Sequence, residues 1–199
     1  MTLTNCYTTL NEFKTQVDID DTLDDATLEK LITAMSRVID DITARRFYAA
    51  TETRYYTAER ADYLRVYDLL SVTALKTDED GDRTYEVTWA TTDYDLMPFN
   101  ATLDGEPYRW LETTPDGDNS FPTGLTKSIE IAGSFGYAST TPAVIEQALF
   151  LGANRLLKRA DTPLGVSAAA ALGQQQVIIR ELATDPDFMG LINPFIKRW

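Results

Sequence analysis

Leu10, Phe13 and Val17 stand three and four residues apart, and Leu28, Leu31, Ile32, Met35, Ile39 and Ile42 extend the same spacing over about four turns. Apolar residues so spaced share one face of a helix. Thr9 with Glu12 three residues on fits the capping-box pattern and predicts a helix over 9–17. Asp24 or Asp25 can cap a second helix, predicted over 25–46, with Arg45 and Arg46 at its favourable C-terminal end. From about residue 50 the period drops to two. Thr51, Thr53, Tyr55 and Thr57 alternate with Glu52, Arg54 and Tyr56, as in a half-buried strand. Further strand-like runs cover 62–67, 72–77, 85–89, 108–112 and 128–135. Turn signals divide them: Asp80-Gly81-Asp82, Asp104-Gly105, Pro115-Asp116-Gly117 and Pro122-Thr123-Gly124. At Thr141-Pro142 the helical period returns through Val144, Ile145, Ala148, Leu149, Gly152 and Leu156, predicting a helix over 142–160. Arg155, Lys158 and Arg159 load its last turns. The fold class is α+β. A small helical bundle of N- and C-terminal helices carries an inserted antiparallel β-rich region over 50–137 and an extended C-terminal tail.

The tail divides from the body at about residue 173, giving a body of 1–173 and a segment of 174–199. A strand is predicted over 177–181, followed by a short amphipathic piece after Asp185-Pro186-Asp187. Val177, Ile178, Ile179, Phe188, Leu191, Phe195 and Trp199 make this segment more apolar than a disordered tail. It either packs on its own body or docks on a partner by strand addition or apolar anchors.

Composition narrows the function. A chain of 199 residues, 44% hydrophobic and 25% charged, can bury a sizeable core without metal or disulfide. No run approaches the roughly 20 apolar residues that span a bilayer. The first residues lack the basic and apolar regions of a secretory signal, and Cys6 is the single cysteine, so synthesis in the cytoplasm is expected. The formal charge of −13 should repel DNA phosphate and anionic membrane. There is no histidine, which removes the commonest general base and transition-metal ligand. Ser-His-Asp and Cys-His machinery and His-containing zinc sites go with it. Carboxylate chemistry stays open.

Candidate motifs fall short of chemistry. Asp78-Glu79-Asp80-Gly81-Asp82 has glycine fourth instead of sixth, and Trp89 stands where a calcium loop closes on glutamate. It reads as a solvated hairpin turn. Asp18, Asp20, Asp21, Asp24 and Asp25 read as a helix-capping loop. Gly133-Ser134-Phe135-Gly136-Tyr137 lacks the Gly-Lys-Ser/Thr of a phosphate loop and reads as a strand end. Cys6 has no activating base in view. The tyrosines of the β region lack interleaved basic residues and suit packing or a protein interface. No residue is assigned to catalysis, a cofactor or a metal. The alternative is a carboxylate-based hydrolase or carbohydrate-binding module, which requires a pocket joining Asp93, Asp95 or Glu112 to aromatics.

Tyr7-Thr8-Thr9-Leu10-Asn11-Glu12-Phe13-Lys14, then Asp20-Asp21-Thr22-Leu23-Asp24-Asp25, then a helix closing on Arg45-Arg46-Phe47-Tyr48 form one ordered pattern. It resembles the opening of the gp6-like head–tail connector (adaptor) family of tailed phages. Phe135-Gly136-Tyr137, then Thr141-Pro142-Ala143-Val144-Ile145-Glu146-Gln147-Ala148, then Leu156-Leu157-Lys158-Arg159-Ala160-Asp161-Thr162-Pro163-Leu164-Gly165-Val166 resemble its closing helix and turn. The resemblance spans roughly residues 5–166. It implies a non-enzymatic structural subunit of the virion neck. Such subunits form a ring, usually of twelve copies, beneath the portal protein; they extend the DNA channel and give stopper or tail-completion proteins a docking surface. DNA passes without specific binding. The resemblance also implies that the 174–199 segment engages the portal or neighbouring subunits. A different neck or tail-terminator protein with a similar helical frame is a further alternative. A ring needs two different complementary faces on each subunit. Asp20, Asp21, Asp24 and Asp25 of one copy are candidates to meet Arg155, Lys158 or Arg159 of the next.

Overall fold

The computed structural model describes residues 3–160 and 185–197, with the backbone alone at 158–160. The side chains of Lys158 and Arg159, the strand expected over 177–181 with Val177, Ile178 and Ile179, and Trp199 lie outside the described residues. The chain is α+β, with four helices and a six-stranded antiparallel sheet among the described residues. It divides into a helical unit, Met1–Arg45 with Thr141–Trp199, and a sheet unit, Arg46–Thr140.

The helical unit holds α1 (Leu10–Val17), α2 (Asp25–Thr43), α3 (Ala143–Ala160), α4 (Pro186–Ile192) and a 3-10 turn over Asn193–Phe195. The capping box is formed: the Glu12 amide donates to Thr9 Oγ1 (3.2 Å) and the Thr9 amide donates to Glu12 Oε2 (2.9 Å). Helix α2 ends three residues before the expected 46. Thr43 turns its hydroxyl back to the Ile39 carbonyl (2.7 Å), Ala44 takes a left-handed conformation (φ 53°), and the Lys197 amide donates to the Thr43 carbonyl (2.9 Å). Arg45 and Arg46 therefore lie beyond the helix. The α2 stripe is the core: Leu28, Ile32, Met35 and Ile39 are fully buried with Phe13, Ile145, Leu149, Ala153, Phe188 and Ile192. Phe13 stacks on Phe150 at 5.8 Å. Gly152 on α3 leaves room for its neighbours, because a Cβ there would meet the Met35 thioether and approach the Phe188 ring at 3.3 Å.

The sheet unit holds β1 (Ala50–Tyr56), β2 (Tyr63–Thr77), β3 (Val87–Thr88), β4 (Tyr94–Met97), β5 (Tyr108–Thr113) and β6 (Ile129–Phe135). Their order is β1-β6-β2-β5-β4, with β3 also paired to β2. The runs expected at 62–67 and 72–77 are one fifteen-residue strand. The intervening Asp68-Leu69-Leu70-Ser71 contains no glycine or proline to turn the chain. Register shifts between Leu69 and Ser71, and between Val72 and Ala74, bend it instead. The run expected at 85–89 shrinks to β3, and the sequence pattern missed β4. Leu64, Val66, Leu69, Leu75, Leu111, Ile129, Ile131 and Phe135 join Trp89, Tyr94 and Phe121 in one core cluster. Trp89 stacks on Phe121 at 4.6 Å, and its indole N–H donates to Thr77 Oγ1 (3.1 Å).

Gly133 lies opposite Val72 at the bulged stretch, where a Cβ would overlap the Ser71 carbonyl oxygen. Gly133→Ala is expected to destabilise by about 1–3 kcal/mol through overpacking. Ile131→Ala is expected to cost about 2–5 kcal/mol through a cavity. Thermal unfolding followed by near-ultraviolet circular dichroism measures both.

Candidate functional site

The acidic residues of the α1–α2 connection divide into two groups. Asp25 is half-buried and takes the Lys14 ammonium at 2.7 Å, and Lys14 also donates to the Asp21 carbonyl. This ties the end of α1 to the start of α2. Asp24 occupies the cap position but makes no side-chain capping bond. Asp20, Asp21 and Asp24 remain exposed around Leu23, which is 89% exposed. An acidic surface with an apolar centre is thus present at 20–24.

Arg155 is engaged within its own chain. Its guanidinium pairs with Asp185 and, at 3.0 Å, with Asp187. Asp185 is buried. One carboxylate oxygen caps α4 by accepting from the Asp187 and Phe188 amides (3.0 and 3.1 Å), and the other meets Arg155. Phe188, named from sequence as a docking residue, is fully buried in the helical unit; Leu191 and Phe195 are half-buried. Sequence reasoning missed the Arg155–Asp185 clasp, because nothing local marks a pair thirty residues apart.

Of the residues of the carboxylate alternative, Glu112 lines a cleft beside the aromatics Tyr63 and Trp110, with Asp62 as a second acid, whereas Asp93 and Asp95 do not. Asp93 is buried and accepts from the Ala90 amide (2.9 Å) and the Asn119 side chain (2.7 Å). Asp95 stands opposite Glu112 in the β4–β5 register. Glu112 accepts from the Trp110 indole N–H at 2.8 Å. An open cleft of about 430 Å³ is lined by Arg60, Asp62, Tyr63, Trp110, Glu112 and Thr113. Neither Asp93 nor Asp95 lines it. Asp62 is held there by both guanidinium arms of Arg60, at 2.9 and 2.6 Å.

The 78–86 loop gathers Asp78, Asp80 and Glu86, whose oxygens lie within 4.8 Å of one another. It is less solvated than its composition suggests. Asp78 is buried and accepts from the Gly81 and Arg83 amides at 2.7 and 2.8 Å. Asp80 and Asp82 accept from amides two residues on. These carboxylates serve as local turn-builders. No helix among the described residues is long and apolar enough to cross a membrane.

No protein-family model and no curated protein sequence matches the chain. Solved structures do. A chain of the neck of an empty gene transfer agent particle, computed with C6 symmetry, matches with a TM-score of 0.60 at 19% identity. The match covers 100% of this chain and 94% of that one. A chain of the neck of the native particle, computed with C12 symmetry, matches with a TM-score of 0.58 at 20% identity, covering 100% and 93%. A chain of the virion of the native particle matches at 0.54 and 20%, covering 100% and 94%. At these identities the likeness is one of fold, and it spans this chain from end to end.

Two predictions follow from the carboxylates. Asp185→Ala removes both the α4 cap and one of the two partners of Arg155. It is expected to cost about 1–2 kcal/mol and to raise amide hydrogen exchange across 186–192 first. The second concerns pH. Hydrogen bonds from the Thr9 amide and hydroxyl hold the Glu12 carboxyl below its ordinary value. Burial pushes the Asp78 carboxyl up, but the Gly81 and Arg83 amides and Asp80 outweigh it and hold it low as well. Such groups lend stability that is complete above the unfolded pKa, about 4, and is lost as the pH falls through the folded one. Calorimetry should show the unfolding temperature dropping between about pH 5 and pH 3, less steeply in Glu12→Gln and Asp78→Asn.

Proposed function

We propose that this chain is a non-enzymatic structural subunit of a phage-type virion neck, a head–tail connector of the gp6-like kind. In this reading it assembles as a ring, of twelve copies, between the portal and the stopper or tail-completion proteins, and it extends the DNA channel. The observation that carries the reading is the end-to-end likeness of fold to neck chains of the gene transfer agent particle, at 100% coverage and a TM-score of 0.60. The C6 and C12 symmetries of those necks support a ring. The net charge of −13 supports a channel wall through which DNA slides without sticking. The absence of histidine from the sequence and the engagement of Asp93, Asp62 and Glu112 in fixed hydrogen bonds suit a structural role.

The body of this adaptor comprises residues 1–173, and the 174–199 segment contributes the portal or neighbour contact. Phe188 then acts as the root of that segment, with Leu191, Phe195 and the residues around them as the contact. The acids Asp20, Asp21 and Asp24 face Lys158 and Arg159 of the next copy, with Asp25 and Arg155 committed inside their own chains.

Electron microscopy of the full chain mixed with its portal tests the reading. Rings seated on the portal, with twelve-fold averages, are the expected result. Particles whose necks lack the chain would overturn it.

A further inference from the structure

The strand order β1-β6-β2-β5-β4 leaves β1 and β4 at the ends of the sheet, and the chain treats these two edges differently. Strand β4 is four residues long, carries Asp95 and runs into Pro98. Shortness, charge and proline are devices that keep an edge from pairing with another chain. Strand β1 is seven residues long and contains neither glycine nor proline. Its pairing with β6 runs from Ala50 and Phe135 to Tyr56 and Ile129 without a register shift. Every second residue of such a strand directs both its amide and its carbonyl away from its neighbour. Among the described residues, β6 is the one strand beside β1, and no backbone hydrogen bond forms on the outer side. Thr51, Thr53 and Tyr55 are exposed.

Charge also sets this edge apart. The sheet unit carries eight Lys and Arg against seventeen Asp and Glu, a net of −9. Within it, residues 46–57 carry Arg46, Glu52 and Arg54, a net of +1. A second copy therefore approaches β1 without acid facing acid, as it would at Asp95 of β4.

The sequence of β1 fits itself in reverse. Laid antiparallel about Thr53, it sets Thr53 opposite Thr53, Thr51 opposite Tyr55, Glu52 opposite Arg54 and Ala50 opposite Tyr56. Threonine pairs and aromatic–β-branched pairs favour a sheet, and like charges directly opposite disfavour it. The smallest register shift that keeps each side chain on its own face is two residues. One such shift puts Glu52 against Glu52, and the other puts Arg54 against Arg54. Glu52 already pairs with Arg46 and Arg54 of its own chain at 2.9 and 2.7 Å. The charges thus select the register, and the main chain supplies the contact.

We propose that β1 of the free chain pairs antiparallel with β1 of a second copy, two-fold about Thr53, joining two sheets into one. One patch serves both copies, as a two-fold interface requires. A ring about a single axis is built from head-to-tail contacts instead. The β1 pair therefore forms apart from any ring, and it does not rest on the neck reading.

The test is sedimentation of the full chain without portal. A dimer that dissociates on dilution is expected. Thr53→Lys and Thr53→Glu each set like charges face to face at an exposed position, and each should raise the dimer Kd at least about tenfold. Mixing these two variants should restore the dimer. In a Cys6→Ser background, Thr53→Cys should oxidise to a disulfide-linked dimer, because directly opposed Cα atoms lie about 4.5–5.5 Å apart, within disulfide reach. Tyr55→Cys in the same background should not, since its two thiols would stand four residues apart along the strand, about 13 Å. A chain that stays monomeric at every concentration overturns the proposal. So does an association that both charged variants leave intact, or one that cross-links equally at 53 and 55. A monomer whose alternate β1 amides resist hydrogen exchange overturns it by showing the edge covered within one chain. None of these outcomes bears on the neck reading, which the portal experiment tests.

Discussion

Strand β2 must satisfy its backbone along fifteen residues, and the sheet unit is arranged around that demand. Its first half pairs with β5 through Tyr63, Leu64 and Arg65, its second half pairs with β6 up to Thr77, and Lys76 and Thr77 also pair with β3. Leu69 pairs on both sides, with Tyr108 of β5 and Phe135 of β6. A strand that changes neighbours in mid-course would turn its apolar side chains outward if the alternation slipped by one. The bulges at the handover absorb that slip and keep Leu64, Val66, Leu69 and Leu75 in the core. Gly133 belongs to the same solution, since only a residue without Cβ fits against the bulged Ser71 backbone. The cleft begins where Tyr63 meets Glu112, so its walls are set by β2 and β5 together.

The helical frame was legible in the sequence because its signals are local. Thr9 and Glu12 sit three apart and bond each other, and the α2 stripe is read directly from its 3.6-residue period. The strands bounded by glycine turns were legible for the same reason. What escaped was non-local. The join of two runs into β2 depends on β6 as a template, and β4 is too short at four residues to show a period. The end of α2 depends on a threonine hydroxyl and on an amide at Lys197.

The functional surfaces were less legible than the fold. Phe188, Leu191 and Ile192 have helical spacing, and a stripe looks the same whether it covers its own core or a partner. Burial of Phe188 beside Gly152 of α3 resolves that for this residue. Arg155 reads as a surface cation until Asp185 is placed beside it. Strand β1 alternates like any half-buried strand, and only the sheet order leaves its edge unpaired.

Charge links these observations. Asp78, Asp93 and Asp185 are buried, and each accepts at least two hydrogen bonds. Acid placed there builds turns and caps and contributes to the net charge without offering a contact. A second copy of the chain brings another −13. At physiological salt such repulsion survives only between charges within about 8 Å of one another.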